Sequence, residues 1–160
     1  MTDLRIGIGY DVHAFADDRR LVLGGVTIAH ERGLTGHSDA DVLVHALMDA
    51  LLGALREGDI GRLFPDTDPE YRGISSLELL ARVSDLVRDR GFVVVDADCV
   101  VALEEPKVSP HRDAMRDAMA QALGVSRDRV GVKATTTEQL GFTGRREGVA
   151  AWSVVLLERA

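Results

Sequence analysis

The sequence predicts an α+β fold of two layers, in which helices cover one face of a mixed β-sheet and a small β-hairpin lies beside it. Two observations carry this prediction. Apolar and polar residues alternate in several segments, as in half-buried strands, whereas other segments repeat their apolar residues at helical spacing. The segments follow the order strand, hairpin, helix, helix, strand, helix, strand, strand. A sheet of this kind buries one face against its helices.

The N-terminal segment predicts a strand over residues 5–12, followed by a hairpin. In the strand, large apolar side chains alternate with Gly7, Gly9 and an aspartate, and the glycines allow another backbone to approach closely. The hairpin spans residues 21–28. Its two short apolar runs flank the dipeptide Gly24-Gly25, and glycine tolerates the positive φ angles of a tight hairpin turn.

Two helices follow in the predicted order. The first spans residues 39–56, with Ser38 as its expected N-cap, because its apolar residues recur every three or four positions. The second begins near Ser75, which forms a capping-box pattern with Glu78, and it ends at Gly91.

The C-terminal half predicts three strands and a third helix. The strands span residues 92–103, 130–135 and 149–158. The helix has Pro110 at its first turn and Gly124 just past its end, which are the positions these residues favour. Between the elements, polar residues concentrate in four predicted loops, at residues 11–20, 30–41, 57–76 and 133–148.

Composition narrows the class of protein. A chain of 160 residues with 46% hydrophobic residues can bury a core of its own, so residues 1–160 are expected to form a single domain. The net charge of -7 opposes nucleic-acid binding, although a small phosphorylated ligand is compatible with it. The single cysteine, Cys99, excludes an intramolecular disulfide and suits a reducing compartment. We therefore expect a cytoplasmic protein without a membrane span.

Three polar residues are candidate ligands of a metal ion. Asp11 and His13 are two residues apart in an extended segment, so their side chains share one face. His45 lies in the first predicted helix with Asp41 and Asp49 one turn to either side, and either carboxylate would orient its imidazole. One aspartate and two histidines suit catalytic zinc. The alternatives are a polar loop at residues 11–13 and a core histidine at 45, and His30, His37 and His111 compete as ligands.

Two further regions suggest a phosphorylated ligand. Ser38 at the start of a helix offers an anion site, although simple capping explains it as well. The segment after residue 133 combines three threonines and Glu138 with glycines and arginines, which suits a diphosphate and a Mg²⁺ ion. It lacks the spacing of a Walker loop. Residues 59–68 are rich in Asp, Pro and Gly, as expected for either a series of turns or a substrate lid.

Taken together, these segments resemble the 2-C-methyl-D-erythritol 2,4-cyclodiphosphate synthases of the non-mevalonate isoprenoid pathway. The resemblance runs from residue 7 to residue 148 and rests on the stretches GIGYDVHAF, GLTGHSDADVLVHALMDALLGA, GDIGRLFPDTDPEYRG, EEPK and VKATTTEQLGFTGRREG. It implies a homotrimer with active sites between subunits. The implied reaction converts 4-diphosphocytidyl-2-C-methyl-D-erythritol 2-phosphate to the cyclic diphosphate and CMP.

The same resemblance assigns roles to residues. It implies that Asp11, His13 and His45 hold Zn²⁺, that Glu138 helps to hold Mg²⁺ or Mn²⁺, and that His37 and Thr136 stabilise the transition state. It also implies an apolar cavity on the trimer axis that takes an isoprenoid diphosphate, with Arg145 at its mouth. The implied substrate contacts are Asp11, His13, His37, Ser38, Asp59, Ile60, Gly61, Phe64, Asp66, Pro106, Lys107, Thr135, Thr136, Thr137, Glu138, Phe142 and Arg145.

One residue departs from the pattern, and two other functions compete. Glu105 stands where a small or basic residue is expected beside Pro106-Lys107. A metal-dependent phosphohydrolase of the HD type is suggested by His37, Asp39 and His45, but it requires a His-Asp dipeptide that the sequence lacks and predicts an all-helical chain. The other competitor is a non-catalytic trimer that binds nucleotides or isoprenoid diphosphates.

Overall fold

A computed structural model describes residues 3–160, which form a five-stranded sheet, a separate hairpin and a layer of helices. The sheet has the strand order β4-β1-β7-β5-β6, and β2 pairs with β3 in the hairpin. The strands are β1 (Leu4–Ala16), β2 (Leu21–Leu23), β3 (Val26–Ile28), β4 (Gly33–Leu34), β5 (Phe92–Ala102), β6 (Val130–Thr135) and β7 (Gly148–Arg159).

The sheet is mixed, as predicted. β1 pairs with both β4 and β7 in antiparallel fashion, and β7 also runs antiparallel to β5. β5 and β6 are parallel. The predicted hairpin is confirmed as well, with φ angles of 58° at Gly24 and 78° at Gly25. The first strand is longer than predicted, because it continues through Asp11 and His13 to Ala16 instead of ending in a loop.

Five α-helices accompany the sheet in the described residues. They are α1 (Val42–Leu55), α2 (Ile60–Leu63), α3 (Ser76–Asp89), α4 (Arg112–Leu123) and α5 (Gly141–Gly144). The three long ones, α1, α3 and α4, confirm the predicted helices, and Gly124 ends α4 in the left-handed conformation, as expected. Strand β4 and the short helices α2 and α5 lie in segments predicted as loops. Among residues 3–160, no helix combines the length and the apolar character that crossing a membrane requires.

Ser38 is wrong as the N-cap of α1, whereas Ser75 is confirmed as the N-cap position of α3 but does not make the predicted side-chain hydrogen bond. Ser38 does not cap α1, because Asp41 occupies the N-cap position and accepts a hydrogen bond from Val44 N–H. Both oxygens of Asp41 also accept N–H groups of the hairpin turn, from Gly24 and Gly25. The capping box at Ser75 does not form either, since that side chain makes no cap hydrogen bond. At the start of α3, the backbone N–H of Ser76 instead donates to Asp39, 37 residues away, a partner that local spacing does not reveal.

Helix α1 lies directly against β1, as the two glycines of that strand predicted. A Cβ atom placed on Gly9 would lie 1.9 Å from the carbonyl oxygen of Ala46, and one on Gly7 would lie 1.9 Å from that of Ala50. The strand and the helix therefore pack backbone to backbone at these positions. α1 is buried along most of its length, with Leu43, Leu47 and Leu51 in the core.

The opposite face of the sheet is apolar and exposed. Its large side chains come from alternate positions of β1 and from β7, where Tyr10 pairs with Trp152 in the strand register. Their rings lie 5.1 Å apart. The exposed side chains of this face are Ile6, Ile8, Tyr10, Val12, Trp152 and Val154. Ile8 is 70% exposed and Ile6 66%, which is unusual for isoleucines that stand side by side on a strand.

Candidate metal centre and substrate clefts

Asp11, His13 and His45 converge at the end of the sheet. Asp11 and His13 point to the helix-covered face of β1, on the same side as Gly7 and Gly9, and α1 brings His45 to them. Asp11 Oδ2 lies 2.8 Å from His13 Nε2 and 3.1 Å from His45 Nδ1, and the two nitrogens are 3.1 Å apart. Within residues 3–160, this is the one group of at least three such side chains whose ligand atoms all lie within 4.8 Å of one another.

The spacing of these three atoms fits a tetrahedral metal ion. Ligands about 2.0–2.1 Å from a zinc ion at tetrahedral angles are roughly 3.3 Å apart, close to the separations observed here. The other ring nitrogen of His13, Nδ1, lies 2.6 Å from the carbonyl oxygen of Thr35. A carbonyl can only accept a hydrogen bond, so Nδ1 carries a proton, and the lone pair of a neutral His13 lies on Nε2, the atom that faces Asp11 and His45.

The site favours positive charge at its centre. Burial raises the pKa of Asp11, but hydrogen bonds and positive charge from His13 and His45 outweigh this and hold the pKa well below its usual range. Burial lowers the pKa of His13, but the hydrogen bond and charge of Asp11 raise it above the ordinary value of 6.5. A metal ion would compete with protons for the same lone pairs.

The expected carboxylate partner of His45 is wrong. His45 Nε2 lies 3.1 Å from the Ser38 hydroxyl and 2.9 Å from the Ser76 hydroxyl. Asp41 is instead occupied with the hairpin turn, and Asp49 accepts a hydrogen bond from Ile60 N–H at 2.8 Å. Two serine hydroxyls therefore orient the imidazole in place of an aspartate.

The competing histidines lie outside the converging group. His37 Nε2 contacts the carbonyl oxygen of Asp68 at 3.0 Å. His30 Nδ1 lies 2.9 Å from the carbonyl oxygen of Arg32. His111 belongs to the turn that precedes α4. The geometry thus favours His13 and His45 as the histidine ligands.

A cleft of about 380 Å³ opens beside the three ligands. Most of the predicted substrate residues from the first half of the chain line it, and α2 supplies part of its wall. These residues are Asp11, His13, His37, Ser38, Ile60, Gly61, Phe64 and Asp66. Asp59 does not line the cleft but caps α2, by accepting a hydrogen bond from Arg62 N–H at 3.0 Å. The segment predicted as turns or a lid is therefore a short helix followed by a turn.

A second cleft, of about 200 Å³, lies where β5 and β6 end. Pro106, Lys107, Thr135 and Thr136 line it, and it shares no lining residue with the first cleft. Thr137 and Glu138 follow in an exposed turn. In that turn the Thr136 hydroxyl donates to Glu138 Oε1 at 3.1 Å. Glu138 does not belong to the converging group of three candidate ligands.

The last predicted contacts line neither cleft. Phe142 lies in α5, and Arg145 follows that helix as an exposed side chain paired with Glu147 at 2.8 Å. The unexpected Glu105 pairs with Arg146 at 2.9 Å, so its charge is balanced by that arginine. One chain therefore brings most of the predicted residues into two separate clefts and leaves Asp59, Thr137, Glu138, Phe142 and Arg145 outside both.

The sequence profile of the YgbB family matches residues 4–158. The chain belongs to the YgbB family. A 2-C-methyl-D-erythritol 2,4-cyclodiphosphate synthase of Synechococcus elongatus is 55% identical to it over 159 residues, which cover 99% of both chains.

Two other YgbB relatives extend the comparison. A bifunctional enzyme, IspD/IspF, of Desulforudis audaxviator is 60% identical over 154 residues, which are 96% of this chain but 39% of that protein's length. IspF of Plasmodium falciparum, solved in complex with CDP, superposes with a TM-score of 0.85 at 30% identity, covering 98% of this chain and 96% of that one. These likenesses extend over nearly the whole of this YgbB chain.

Sequence reasoning missed several residues of this YgbB site. Ser76 contacts His45, and Tyr71 and Leu79 line the first cleft. Glu104 accepts hydrogen bonds from Thr137 N–H at 3.0 Å and from Gln139 N–H at 3.3 Å. A buried serine gives no signal in a single sequence, because capping explains it equally well. The acidic pair 104–105 was a usable signal, since it precedes a predicted binding segment.

Proposed function

We propose that this chain is a 2-C-methyl-D-erythritol 2,4-cyclodiphosphate synthase of the non-mevalonate isoprenoid pathway. It converts 4-diphosphocytidyl-2-C-methyl-D-erythritol 2-phosphate to the cyclic diphosphate and CMP. The observation that carries the proposal is the convergence of Asp11, His13 and His45 beside a cleft, in a chain 55% identical to such a synthase over 99% of its length. The CDP complex of the Plasmodium falciparum relative supports a cytidine nucleotide as part of the substrate.

The reaction is an internal phosphoryl transfer that needs no nucleophile from the protein. An oxygen of the substrate's 2-phosphate attacks the β-phosphorus, and the new P–O bond closes the ring. The bond from the β-phosphorus to the oxygen shared with the α-phosphorus breaks, and CMP leaves with that electron pair. The protein's task is therefore to position the two phosphate groups and to cancel their charge.

The donor atoms support the proposed metal ions. Asp11, His13 and His45 would hold Zn²⁺, since two imidazoles and a carboxylate leave a fourth position open. Glu138 would help to hold Mg²⁺ or Mn²⁺, which prefer oxygen ligands. Divalent cations at these places supply positive charge against the phosphate oxygens. This explains how a chain with a net charge of -7 can act on an anionic substrate.

Most of the remaining predicted residues line one of the two clefts, and the others lie in segments near them. In the first cleft, His37 and Ser38 contact the phosphate groups, and the erythritol part lies against the segment that includes α2. That segment contributes Asp59, Ile60, Gly61, Phe64 and Asp66. In the second cleft, the cytidine lies against Pro106, Lys107 and Thr135. Thr136 stabilises the transition state with His37, and Thr137, Glu138, Phe142 and Arg145 complete the contacts.

The same division supports a homotrimer with its active sites between subunits. The two clefts of one chain share no lining residue, so a complete site is better formed by the first cleft of one copy and the second cleft of another. The exposed apolar face of β1 and β7 supplies a surface that a second copy would bury. An isoprenoid diphosphate would occupy the apolar space on the axis, with Arg145 at its mouth. We place this single-domain enzyme in the cytoplasm.

Product analysis tests the function. The protein is incubated with the cytidyl diphosphate substrate, Zn²⁺ and Mg²⁺, and the products are followed by phosphorus NMR. We expect CMP and a cyclic diphosphate in equal amounts. Inorganic phosphate would indicate the competing phosphohydrolase, whose all-helical prediction already conflicts with the five-stranded sheet. Bound zinc with no turnover would favour the non-catalytic trimer.

A further inference from the structure

Ser76 stands between the candidate metal ligand His45 and the carboxylate of Asp39. It is the first residue of α3 and is fully buried. Its hydroxyl donates a hydrogen bond to Asp39 Oδ1, and its backbone N–H donates to Asp39 Oδ2 at 3.0 Å. On the other side, the same hydroxyl oxygen lies 2.9 Å from His45 Nε2. The three groups therefore form a chain that ends on the imidazole.

The direction of each hydrogen bond in this chain follows from the chemistry of its members. An ionised carboxylate only accepts, so the hydroxyl proton of Ser76 points to Asp39. The oxygen of Ser76 can then only accept from His45, which requires a proton on Nε2. With Nε2 protonated, the lone pair of a neutral His45 lies on Nδ1, the atom 3.1 Å from Asp11 Oδ2.

Ser38 is compatible with this order. Its hydroxyl oxygen accepts a hydrogen bond from Ala40 N–H at 3.3 Å and lies 3.1 Å from His45 Nε2, so it can share the proton on Nε2. It has no carboxylate that fixes its own proton, whereas Ser76 does. Of the two serines, Ser76 is therefore the one whose orientation is determined.

We propose that Asp39 and Ser76 are positioning residues that hold His45 in the tautomer able to bind a metal ion through Nδ1. This inference deepens the proposed function and rests on its metal site. The Asp39–Ser76–His45 chain of hydrogen bonds, here called the relay, also joins the metal site to the start of α3. The helix lacks a cap from Ser75 and uses the distant carboxylate of Asp39 instead, and Asp39 N–H donates to the Ile74 carbonyl at 3.1 Å.

Removing the hydroxyl of Ser76 tests the relay. In Ser76→Ala the backbone cap remains, but His45 loses its partner, and we expect zinc to bind 10-fold to 100-fold more weakly, which is the typical loss for the outer partner of a ligating histidine. Asp39→Asn should weaken zinc at least as much, because the amide can donate to Ser76 and turn its proton toward His45. Zinc affinity is measured on the full chain by competition with a chromophoric chelator.

Ser84→Ala is the matched control. Ser84 is buried in the same helix, but its hydroxyl donates to the carbonyl oxygen of Leu123 at 2.8 Å, away from the metal ligands. The Ser84→Ala variant should lose stability, as Ser76→Ala does, but its zinc affinity should stay within about twofold of the wild-type value. Equal zinc affinities in Ser76→Ala and Ser84→Ala would overturn the proposal.

A spectroscopic readout separates positioning from folding. Nitrogen-15 NMR of the chelator-treated protein, at a pH where its imidazoles are neutral, reports which nitrogen of His45 carries the proton. We expect Nε2–H in the wild type and in Ser84→Ala, and a shift toward Nδ1–H in Ser76→Ala. Nδ1–H in the wild type would refute the relay. A wild type that takes up no zinc would instead refute the metal site, and the NMR result would still decide the relay.

Discussion

Gly9→Ala should disturb the metal site through the backbone, without touching a ligand. The added Cβ would lie 1.9 Å from the carbonyl oxygen of Ala46 and 2.7 Å from the backbone nitrogen of Ala50. Ala46 follows His45 on α1, and Gly9 precedes Asp11 by two positions on β1. The glycine therefore sets the distance between the strand and the helix that carry the ligands.

The expected magnitude follows from this geometry. For the new Cβ and the Ala46 carbonyl oxygen to reach a tight contact of about 3.2 Å, the strand and the helix must move apart by roughly 1.3 Å. Forced repacking of a core typically costs about 1–3 kcal/mol. The obstacle here is main chain, so we expect the upper end, about 3 kcal/mol. For a chain of this length, that corresponds to a drop of roughly 6–12 °C in Tm. Zinc ligation tolerates only about 0.2 Å, so zinc affinity should also fall.

Urea unfolding measures the loss of stability, and competition with a chelator measures the loss of zinc affinity, with all proteins at the same concentration. Gly53→Ala is the matched control, because a Cβ there would meet nothing closer than the Ile8 carbonyl oxygen at 3.7 Å. Gly53 is in the last turn of α1, where alanine, a better helix former than glycine, should stabilise the protein by at most about 0.5–1 kcal/mol. If Gly9→Ala proved as stable as Gly53→Ala, or kept wild-type zinc affinity, the close packing would not position the site.

Three further predictions concern other parts of the molecule. Chelator-treated protein should lose stability as the pH rises above 6.5 through the raised pKa of His13, because the proton shared with Asp11 is lost. Calorimetry should therefore show that Tm falls over this pH range, and the Asp11→Asn variant should show a smaller fall. Glu104→Ala should lower kcat/KM about tenfold or more, because the Glu104 carboxylate holds the turn after β6 and hydrogen bonds to a charged group contribute about 1.5–3 kcal/mol. Glu105→Ala, assayed in the same way, should leave kcat/KM unchanged. Burial raises the pKa of the Cys99 thiol to about 11, so a disulfide reagent should leave it unmodified in the native protein and react on unfolding; rapid native modification would contradict the buried environment.

Local patterns in the sequence predicted the elements whose cause is local. Gly24-Gly25 specifies a tight turn, and Gly124 ends a helix, because both depend on the φ angle of one or two residues. The same holds for the alternation in β1, which separates the face with Asp11 and His13 from the exposed face with Ile8. The two-residue period of a β-strand was sufficient to place Asp11 and His13, two of the three candidate ligands, on the same face of β1.

Local sequence patterns did not predict the features that depend on contacts between distant residues. Ser76 is 31 residues from His45, and Asp39 is 37 residues from the helix that it caps. Asp41 was expected to orient His45, but the hairpin turn supplies two N–H donors that hold its carboxylate elsewhere. Such partners are determined by how helices and hairpin pack, which spacing along the chain does not reveal.

An anomalous-scattering map of crystals grown with zinc, recorded at the zinc absorption edge, would show directly which side chains hold the metal ion. We expect one strong peak bonded to Asp11 Oδ2, His13 Nε2 and His45 Nδ1, at about 2.0–2.2 Å from each. A map with no peak there, or with zinc bound to His30, His37 or His111 instead, would contradict this expectation.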